Sequence, residues 1–256
     1  MSRAALEAVD VGLTYPTRRG STQALSQLNL RVGQGEFVAL LGPSGCGKST
    51  LLRLAAGLLA ASEGSVQVAG RPIARPDRRT GVVFQKPNLL PWKTVRGNVL
   101  MPAHTLGLDA AEAARRADEL LELVGLSAFA NGYPQELSGG MQQRAGIARM
   151  LLPDPELLLM DEPFAALDAL SREHLTLELQ RIWGSQRKSV LFVTHSIAEA
   201  VFLADRVLVM SPRPGTIVQE LRIDLPRPRS LDTFDNPAFV AATRQLREYF
   251  NENLVR

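Results

Sequence analysis

The chain has 256 residues, of which 45% are hydrophobic and 21% charged, a balance typical of a globular protein with a sizeable core. The net charge of +3 is small, the arginines are scattered and only 5% of residues are aromatic, so nucleic-acid binding is not favoured. The single cysteine, Cys46, excludes an intramolecular disulfide and is typical of a reducing compartment. No signal-peptide pattern opens the sequence, and the apolar runs are shorter than the roughly 20 residues of a membrane helix. We therefore expect a cytoplasmic protein, or one on the cytoplasmic face of a membrane.

Two strand-like patterns open the chain. Apolar residues alternate over residues 9–13 and again over residues 28–32, with a polar turn predicted around residues 15–21. This arrangement predicts an antiparallel sheet laid against the core that follows.

A phosphate-binding motif comes next. The spacing G-x-x-x-x-G-K-[ST] lies between an apolar run at residues 37–41 and a helical pattern at residues 49–59. Glycines allow backbone N–H groups to approach anionic oxygens closely, and the following helix N-terminus adds partial positive charge. The predicted loop residues are Gly42, Pro43, Ser44, Gly45, Cys46, Gly47, Lys48, Ser49 and Thr50.

Individual side chains near this motif suit a nucleoside triphosphate. Lys48 can reach the β- and γ-phosphates, and the Ser49 hydroxyl can hold Mg²⁺. Tyr15 lies where its ring could stack on the base, although an aromatic residue covering the edge of the core is an equally open interpretation.

The middle of the chain predicts a helical insertion. A short apolar strand at residues 82–84 ends at Gln85, where a polar side chain is either a ligand or an ordinary strand terminator. A helix is predicted over residues 109–124, with Asp109 and Glu112 as a capping box. Residues from about 88 to 152 therefore form an α-helical unit inserted between strands.

A Ser-Gly-Gly sequence begins the last helix of this insertion. Ser138 suits the N-cap position, whereas Gly139 and Gly140 each cost about 1 kcal/mol inside a helix. Glycines at a helix start indicate either a second anion-binding terminus or a flexible loop.

Two further strands end in chemically active side chains. An apolar run at residues 157–160 ends in Asp161 and Glu162, and adjacent carboxylates there are costly unless they hold a metal or a proton. Asp161 suits Mg²⁺ opposite Ser49, and Glu162 suits a general base. A second apolar run, at residues 190–193, ends at His195, which can donate to a phosphate.

The rest of the chain predicts a helix with an apolar face, the last strands and a tail. Leu175, Leu179, Ile182 and Trp183 share one helical face, and His174 is predicted to be a surface histidine. Strands are predicted at residues 206–210 and 216–221, followed by a Pro-Arg linker at 225–230 and a short helix around 237–253.

Taken in order, these motifs resemble the ATP-binding subunit of an ABC transporter. The resemblance spans roughly residues 5–222 and rests on the phosphate loop, Gln85, LSGGMQQR, LLLMDEP, ALD and His195. It implies an α/β fold: a P-loop NTPase core of mostly parallel sheet with helices, an N-terminal antiparallel β subdomain and an inserted helical subdomain. The implied ATP-binding domain covers residues 1–225, and residues 226–256 form the C-terminal linker and short helix.

The resemblance also implies a role for each motif. Tyr15 is the adenine-stacking residue, Gln85 senses Mg²⁺ and the attacking water, and Glu162 is the general base. Ser49, Gln85 and Asp161 are the implied Mg²⁺ residues, and Lys48 and His195 assist hydrolysis. The signature residues are Ser138, Gly139 and Gly140, which reach the nucleotide of the other protomer, and Asp168 belongs to the D-loop.

Two stretches narrow the implied family. Residues 82–99 and 192–220 resemble subunits of nitrate, sulfonate and taurine importers. This implies a homodimer that works with integral membrane permease subunits, contacted near residues 85–92, and with a solute-binding protein, at the inner-membrane face. DNA-repair ATPases, translation-associated proteins with two cassettes and fused exporters are the alternatives. The sequence lacks the coiled-coil insertion, the second cassette and the membrane spans that these alternatives need.

Overall fold

A computed structural model describes residues 3–17, 20–76, 78–165, 167–186 and 188–253. Within these ranges the chain forms two sheets with helices packed around them. None of the described helices has both the length and the hydropathy that a membrane span requires.

The first sheet is antiparallel and lies at the N-terminal end of the chain. Its strand order is β2-β1-β4-β5. The strands are β1 (Ala4–Thr17), β2 (Gly20–Gly33), β4 (Glu63–Val68) and β5 (Arg71–Pro72). The predicted antiparallel sheet is therefore present.

Two details of this sheet differ from the sequence prediction. The turn is much narrower than residues 15–21, because Tyr15 and Pro16 pair with β2 and the strands continue to Thr17 and Gly20. The predicted alternation also fails at Val9, which is 43% exposed, because the register of β1 shifts between Ala8 and Val11.

The second sheet is mostly parallel and carries the phosphate loop. Its strand order is β10-β9-β3-β8-β7-β6, and only the β9–β10 pair is antiparallel. The strands are β3 (Phe37–Leu41), β6 (Thr80–Val83), β7 (Leu157–Asp161), β8 (Ser189–Val193), β9 (Arg206–Met210) and β10 (Ile217–Arg222). Every residue of β3 and β8 is buried, as expected for strands covered on both faces.

Alternate residues of these strands enter two different hydrophobic cores. Val38 and Leu40 pack with the N-terminal sheet and α1 (Lys48–Ala55), whereas Phe37 and Ala39 pack with helices on the opposite face. The central sheet is thereby fixed from both sides, and the loops at the carboxyl ends of its strands share one rigid edge.

The remaining helices come mainly from the predicted insertion and from the connections between parallel strands. Between β6 and β7 lie α2 (Val95–Val99), α3 (Met101–Leu106), α4 (Ala110–Leu123) and α5 (Gly139–Leu151). The later helices are α6 (Ala169–Gln186), α7 (Ile197–Leu203) and α8 (Pro237–Asn253). The apolar face of α6 is buried and His174 is exposed, as predicted.

Two predictions differ from the structure, at the end of α1 and at residues 225–230, whereas the predicted N-cap of α4 is present. Helix α1 ends at Ala55 rather than residue 59, because the chain turns at Gly57, whose φ is +70°. Asp109 caps α4 by accepting from Glu112 N at 2.8 Å. Residues 225–230 do not behave as a free linker, since Leu225 and Arg229 are buried and Arg229 donates to three carbonyls at the end of α7.

Candidate functional site

The phosphate loop joins β3 to α1 through glycines that no other residue could replace without strain. Gly45 and Gly47 have φ values of +76° and +111°, in the region that L-residues avoid. A Cβ at Gly47 would also lie 2.7 Å from Leu25 Cδ2. The loop is therefore shaped by the glycines that the motif contains.

Lys48 is the first residue of α1 and is only 6% exposed. Its ammonium group donates to the carbonyls of Gly42, at 2.7 Å, and Pro43, at 2.9 Å. Behind the loop lies Cys46, which is 1% exposed, with Sγ 3.9 Å from Lys48 Nζ. The loop thus holds a positive charge in a place that an anion can approach.

Ser49 and Asp161 meet at the edge of the sheet. Ser49 Oγ donates to Asp161 Oδ1 at 3.1 Å, so the second residue of α1 contacts the last residue of β7. Burial raises the pKa of Asp161, the Ser49 hydrogen bond lowers it, and the neighbouring Glu162 raises it again. A half-buried carboxylate beside a hydroxyl is an oxygen pair that suits a hard cation such as Mg²⁺.

Glu162 and His195 form a second pair beside the first. Glu162 Oε2 and His195 Nδ1 lie 3.2 Å apart. Glu162 has a φ of +45°, rare for a residue with a side chain, and its N–H donates to Val193 O at 2.9 Å. The hydrogen bond to β8 holds this unusual backbone and places the carboxylate next to His195.

A cavity of about 280 Å³ opens over the loop. Its lining residues are Tyr15, Thr22, Ala24, Ser44, Gly45, Gly47, Lys48, Ser49, Thr50, Glu162 and Arg213. The predicted base-stacking residue, Tyr15, is one of these lining residues, and its hydroxyl lies 3.3 Å from Thr50 Oγ1. The volume is just below the usual 300–1,000 Å³ of small-molecule sites, so the cavity is small for a nucleotide.

Several residues predicted for the site do not line this cavity. Gly42, Pro43 and Cys46 belong to the back of the loop, and Gln85 is exposed beyond the end of β6. The signature residues lie at the start of α5, where Ser138 accepts from Met141 N at 3.3 Å and is exposed together with Gly139. Gly140, the next residue of α5, also lies outside the lining.

Asp168 likewise faces solvent at the start of α6. Its Oδ1 accepts from Ser171 N at 3.0 Å, and this backbone hydrogen bond lowers the pKa of Asp168. Ser138 and Asp168 each lie at the exposed N-terminus of a helix. Both therefore belong to a surface outside the cavity of the same chain.

Sequence reasoning missed three features of this site. Thr22 and Ala24 enter the cavity from β2, and Arg213 enters from the loop after β9. Glu199 accepts from Thr194 Oγ1 at 2.6 Å, immediately before His195. The Arg-Pro-Gly sequence at residues 213–215 was a local signal for a constrained turn, but nothing in it indicated proximity to the phosphate loop.

Residues 25–165 match the family model described as ABC transporter. The chain belongs to the ABC transporter family. Within that family it is an ATP-binding subunit and an ATP hydrolase.

Similar proteins include three named import subunits. The taurine import ATP-binding protein of Rhizobium johnstonii is 48% identical, with 91% of this chain and 90% of that protein covered. An aliphatic sulfonates import ATP-binding protein of Bacillus licheniformis is 47% identical, with 82% and 81% covered. The nitrate import ATP-binding protein of Synechocystis is also 47% identical, with 86% and 83% covered.

Solved structures of ABC cassettes share the fold. The cassette MJ0796, in a dimeric post-hydrolysis state bound to ADP and Pi, is 33% identical with a TM-score of 0.75, covering 86% of this chain and 100% of that one. The structure of cbiO1 from Clostridium perfringens, part of a transporter complex, is 26% identical with a TM-score of 0.77, covering 99% and 96%. The predicted α/β fold class is confirmed.

Proposed function

We propose that this chain is the Mg²⁺-dependent ATPase subunit of an importer for a small anionic or zwitterionic solute of the nitrate, sulfonate or taurine kind. The observation that carries the chemistry is the pairing of Ser49 with Asp161 beside Glu162 with His195, at one edge of the sheet. The solute class is supported by the names of the three import subunits at 47–48% identity.

Glu162 acts as the general base in this proposal. Its carboxylate accepts a proton from a water molecule while the water oxygen bonds to the γ-phosphorus and the bond to the ADP oxygen breaks. His195 holds the carboxylate from 3.2 Å and donates to the γ-phosphate. Lys48 turns from the loop carbonyls toward the β- and γ-phosphates.

Ser49 and Asp161, with Gln85, are the residues that would hold the metal. The raised pKa of Asp161 supports this assignment, because a nearby cation favours the ionised carboxylate that burial disfavours. When bound, Mg²⁺ neutralises negative charge that develops on the phosphate oxygens.

We further propose that two copies of the chain complete the site. The cavity is small for a nucleotide, and Ser138, Gly139 and Gly140 start a helix outside its lining. In a two-fold dimer the signature residues of one copy cover the ATP on the phosphate loop of the other, and Asp168 lies near the same junction. The dimeric state of the related cassette MJ0796 supports this arrangement.

The segment around residues 85–92 is the proposed contact with the permease subunits. Trp92 is 71% exposed, which is unusual for a large aromatic side chain. The backbone on both sides of Trp92 is held by the fully buried side chain of Asn98. Asn98 accepts from Leu90 N and donates to the carbonyls of Leu90, Lys93 and Thr94. A rigid loop that presents an aromatic anchor suits docking to a membrane partner.

The complete assembly therefore consists of two copies of this chain on the cytoplasmic face of the inner membrane, the permease subunits and a solute-binding protein. Closing of the dimer on ATP and opening after hydrolysis would drive the permease. Reconstitution of the chain in proteoliposomes with its permease subunits, and with the solute-binding protein added outside, tests the proposal directly. Labelled nitrate, taurine and alkanesulfonate are offered with ATP inside the vesicles, and Glu162→Gln is the matched control.

ATP-dependent uptake of at least one of these solutes by the wild type, and none by the control, is the expected result. ATP hydrolysis without uptake of any of the three would contradict the importer proposal while leaving the ATPase assignment intact.

A further inference from the structure

The loop after β9 lies against the phosphate loop. Arg213, within this loop, donates through Nε and Nη2 to the same oxygen, Gly45 O, at 3.1 and 2.8 Å. Two residues later Gly215 lies so close to the phosphate loop that a Cβ there would collide with Cys46 O. Two successive peptide groups of the phosphate loop are therefore braced from one side.

The loop segment that makes these contacts, residues 211–216, is itself anchored to the rest of the fold. Gly215 N donates to Ala24 O at 2.9 Å, and Ser26 N donates to Gly215 O at 3.2 Å. Ser211 Oγ accepts from Thr216 N at 3.1 Å, which closes the loop at its base. Arg213 consequently extends from a fixed support rather than from a free surface loop.

The position of this brace has a consequence for the phosphate loop. A peptide group has its carbonyl and its N–H on opposite sides, so the peptide between Gly45 and Cys46 is held at both ends: Gly45 O accepts from Arg213, and Cys46 N donates to Pro43 O at 3.4 Å. Because Gly45 has φ +76° and no side chain, these two hydrogen bonds are important for the orientation of this peptide. The loop that presents backbone N–H groups to an anion keeps its shape only if such peptides are fixed.

The guanidinium group also contributes charge. Arg213 lines the nucleotide cavity together with Lys48, so two cationic side chains face a ligand that carries several negative charges. Unlike Lys48, Arg213 belongs to none of the motifs that identify the site from sequence.

We propose that Arg213 is a positioning residue for ATP and ADP: it fixes the Gly45 peptide in the phosphate-binding orientation through its two-pronged hydrogen bond. This proposal rests on nucleotide binding by the family and not on the importer proposal, so either can fail without the other.

A substitution series at Arg213 separates positioning from charge. Arg213→Ala removes both, Arg213→Gln keeps a hydrogen-bond donor without charge, and Arg213→Lys keeps charge with a single donor group. Arg222→Ala is the matched control, because Arg222 is an exposed arginine on β10 outside the cavity lining. Binding of fluorescent ATP and ADP analogues, kcat, KM and thermal unfolding are measured on the purified chain.

Arg213→Ala should raise Kd for both nucleotides and KM for ATP by roughly tenfold or more, the usual effect of losing a charge-assisted hydrogen bond. kcat at saturating ATP should change by less than about threefold, because the lost interaction stabilises bound ATP and the transition state equally. Arg213→Lys and Arg213→Gln should each recover part of the nucleotide affinity. Arg222→Ala should bind both nucleotides with wild-type affinity, and the melting temperatures of all variants should stay near that of the wild type.

Three results would overturn the proposal. The first is wild-type affinity in Arg213→Ala. The second is full recovery by Lys with none by Gln, which would reduce the role of Arg213 to charge alone. The third is an equal loss of affinity in Arg222→Ala, which would indicate a general effect of net charge.

Discussion

Ser49 and Asp161 lie 112 positions apart in sequence, yet their side-chain oxygens meet at 3.1 Å. The sheet order explains this contact, because β8 lies between β3 and β7 and all three strands are parallel. Their carboxyl ends therefore share one edge, where the phosphate loop, Asp161 and His195 converge.

Asp161→Asn should abolish activity while stabilising the nucleotide-free protein. Asn retains an oxygen that accepts from Ser49, but it removes a carboxylate whose ionisation is disfavoured by burial. ATP hydrolysis should fall by about 100-fold or more because the metal loses its carboxylate ligand. The melting temperature at pH 7 should rise by about 2–4 °C, the effect of about 1 kcal/mol in a chain of this size.

The pH dependence of unfolding provides the control for that substitution. A carboxyl group whose folded pKa is raised binds more protons in the folded state, so its contribution to stability falls as pH rises from the ordinary pKa through the raised one. Urea titrations above about pH 4 should show this decline in wild type and a smaller one in Asp161→Asn. A parallel decline in both proteins, or a lower melting temperature for the variant, would contradict the prediction.

Glu162→Gln should bind ATP and turn it over at least about 100-fold more slowly, because a general base typically contributes 10²–10⁴-fold. Gln occupies the same volume and retains an oxygen 3.2 Å from His195, so nucleotide binding is preserved. The trapped ATP should hold two copies together, giving a dimer in size-exclusion chromatography with light scattering. Hydrolysis at the wild-type rate would refute the assignment of the base.

Glu199 should matter for catalysis although it lies outside the cavity lining. It is 8% exposed, accepts from Thr194 Oγ1 at 2.6 Å and lies 3.6 Å from Arg172. Thr194 Oγ1 accepts in turn from Ser196 N at 3.0 Å, so this network fixes the backbone on both sides of His195.

Glu199→Ala should lower kcat by about tenfold through misplacement of His195, with KM for ATP changed by less than about twofold. Glu199→Gln should keep most of the activity because its oxygen still accepts from Thr194. Steady-state ATPase assays decide the matter, and equal activity of Glu199→Ala and wild type would show that His195 needs no such support.

Trp92→Ala should separate ATP hydrolysis from membrane coupling. The side chain is 71% exposed and does not line the cavity, so the ATPase activity of the isolated chain should be unchanged. Recovery of the permease in a pull-down with the tagged chain should fall at least about tenfold, as expected for an interface anchor. Leu58→Ala, which alters another exposed apolar residue, is the control and should retain the permease.

Much of the geometry at this edge of the sheet could be predicted from the sequence because each motif couples local geometry to chemistry. The spacing of Gly42, Gly47 and Lys48 predicts the loop, and the carboxylates after an apolar run predict the end of a buried strand. Ser138 was predicted as an N-cap from its residue type and position alone, and its side chain does accept from Met141 N.

The features that were missed depend on tertiary proximity or on backbone irregularity. Arg213 meets Gly45 across 168 positions, and no periodicity encodes that distance. The shift at Val9 comes from a bulge in β1, and the early end of α1 comes from one glycine in an otherwise helical pattern. The roles of all the predicted site residues stay predictions, and those of Gln85, the signature residues and Asp168 also concern surfaces outside the cavity of a single chain.

The sharing of one nucleotide between two copies can be measured by mixing two inactive variants. Lys48→Ala disables the phosphate loop, and Gly139→Asp places a carboxylate at the start of α5. Gly139 is exposed and an added Cβ would only touch Leu167 at 3.6 Å, so the second variant should fold normally.

In a mixed dimer, the loop of the Gly139→Asp copy faces the intact signature of the Lys48→Ala copy, which leaves one complete site. We predict that each variant alone is inactive and that their mixture regains ATP hydrolysis and ATP-dependent association. Activity of the mixture no greater than the sum of the separate variants, with no association on adding ATP, would contradict a site built from two chains.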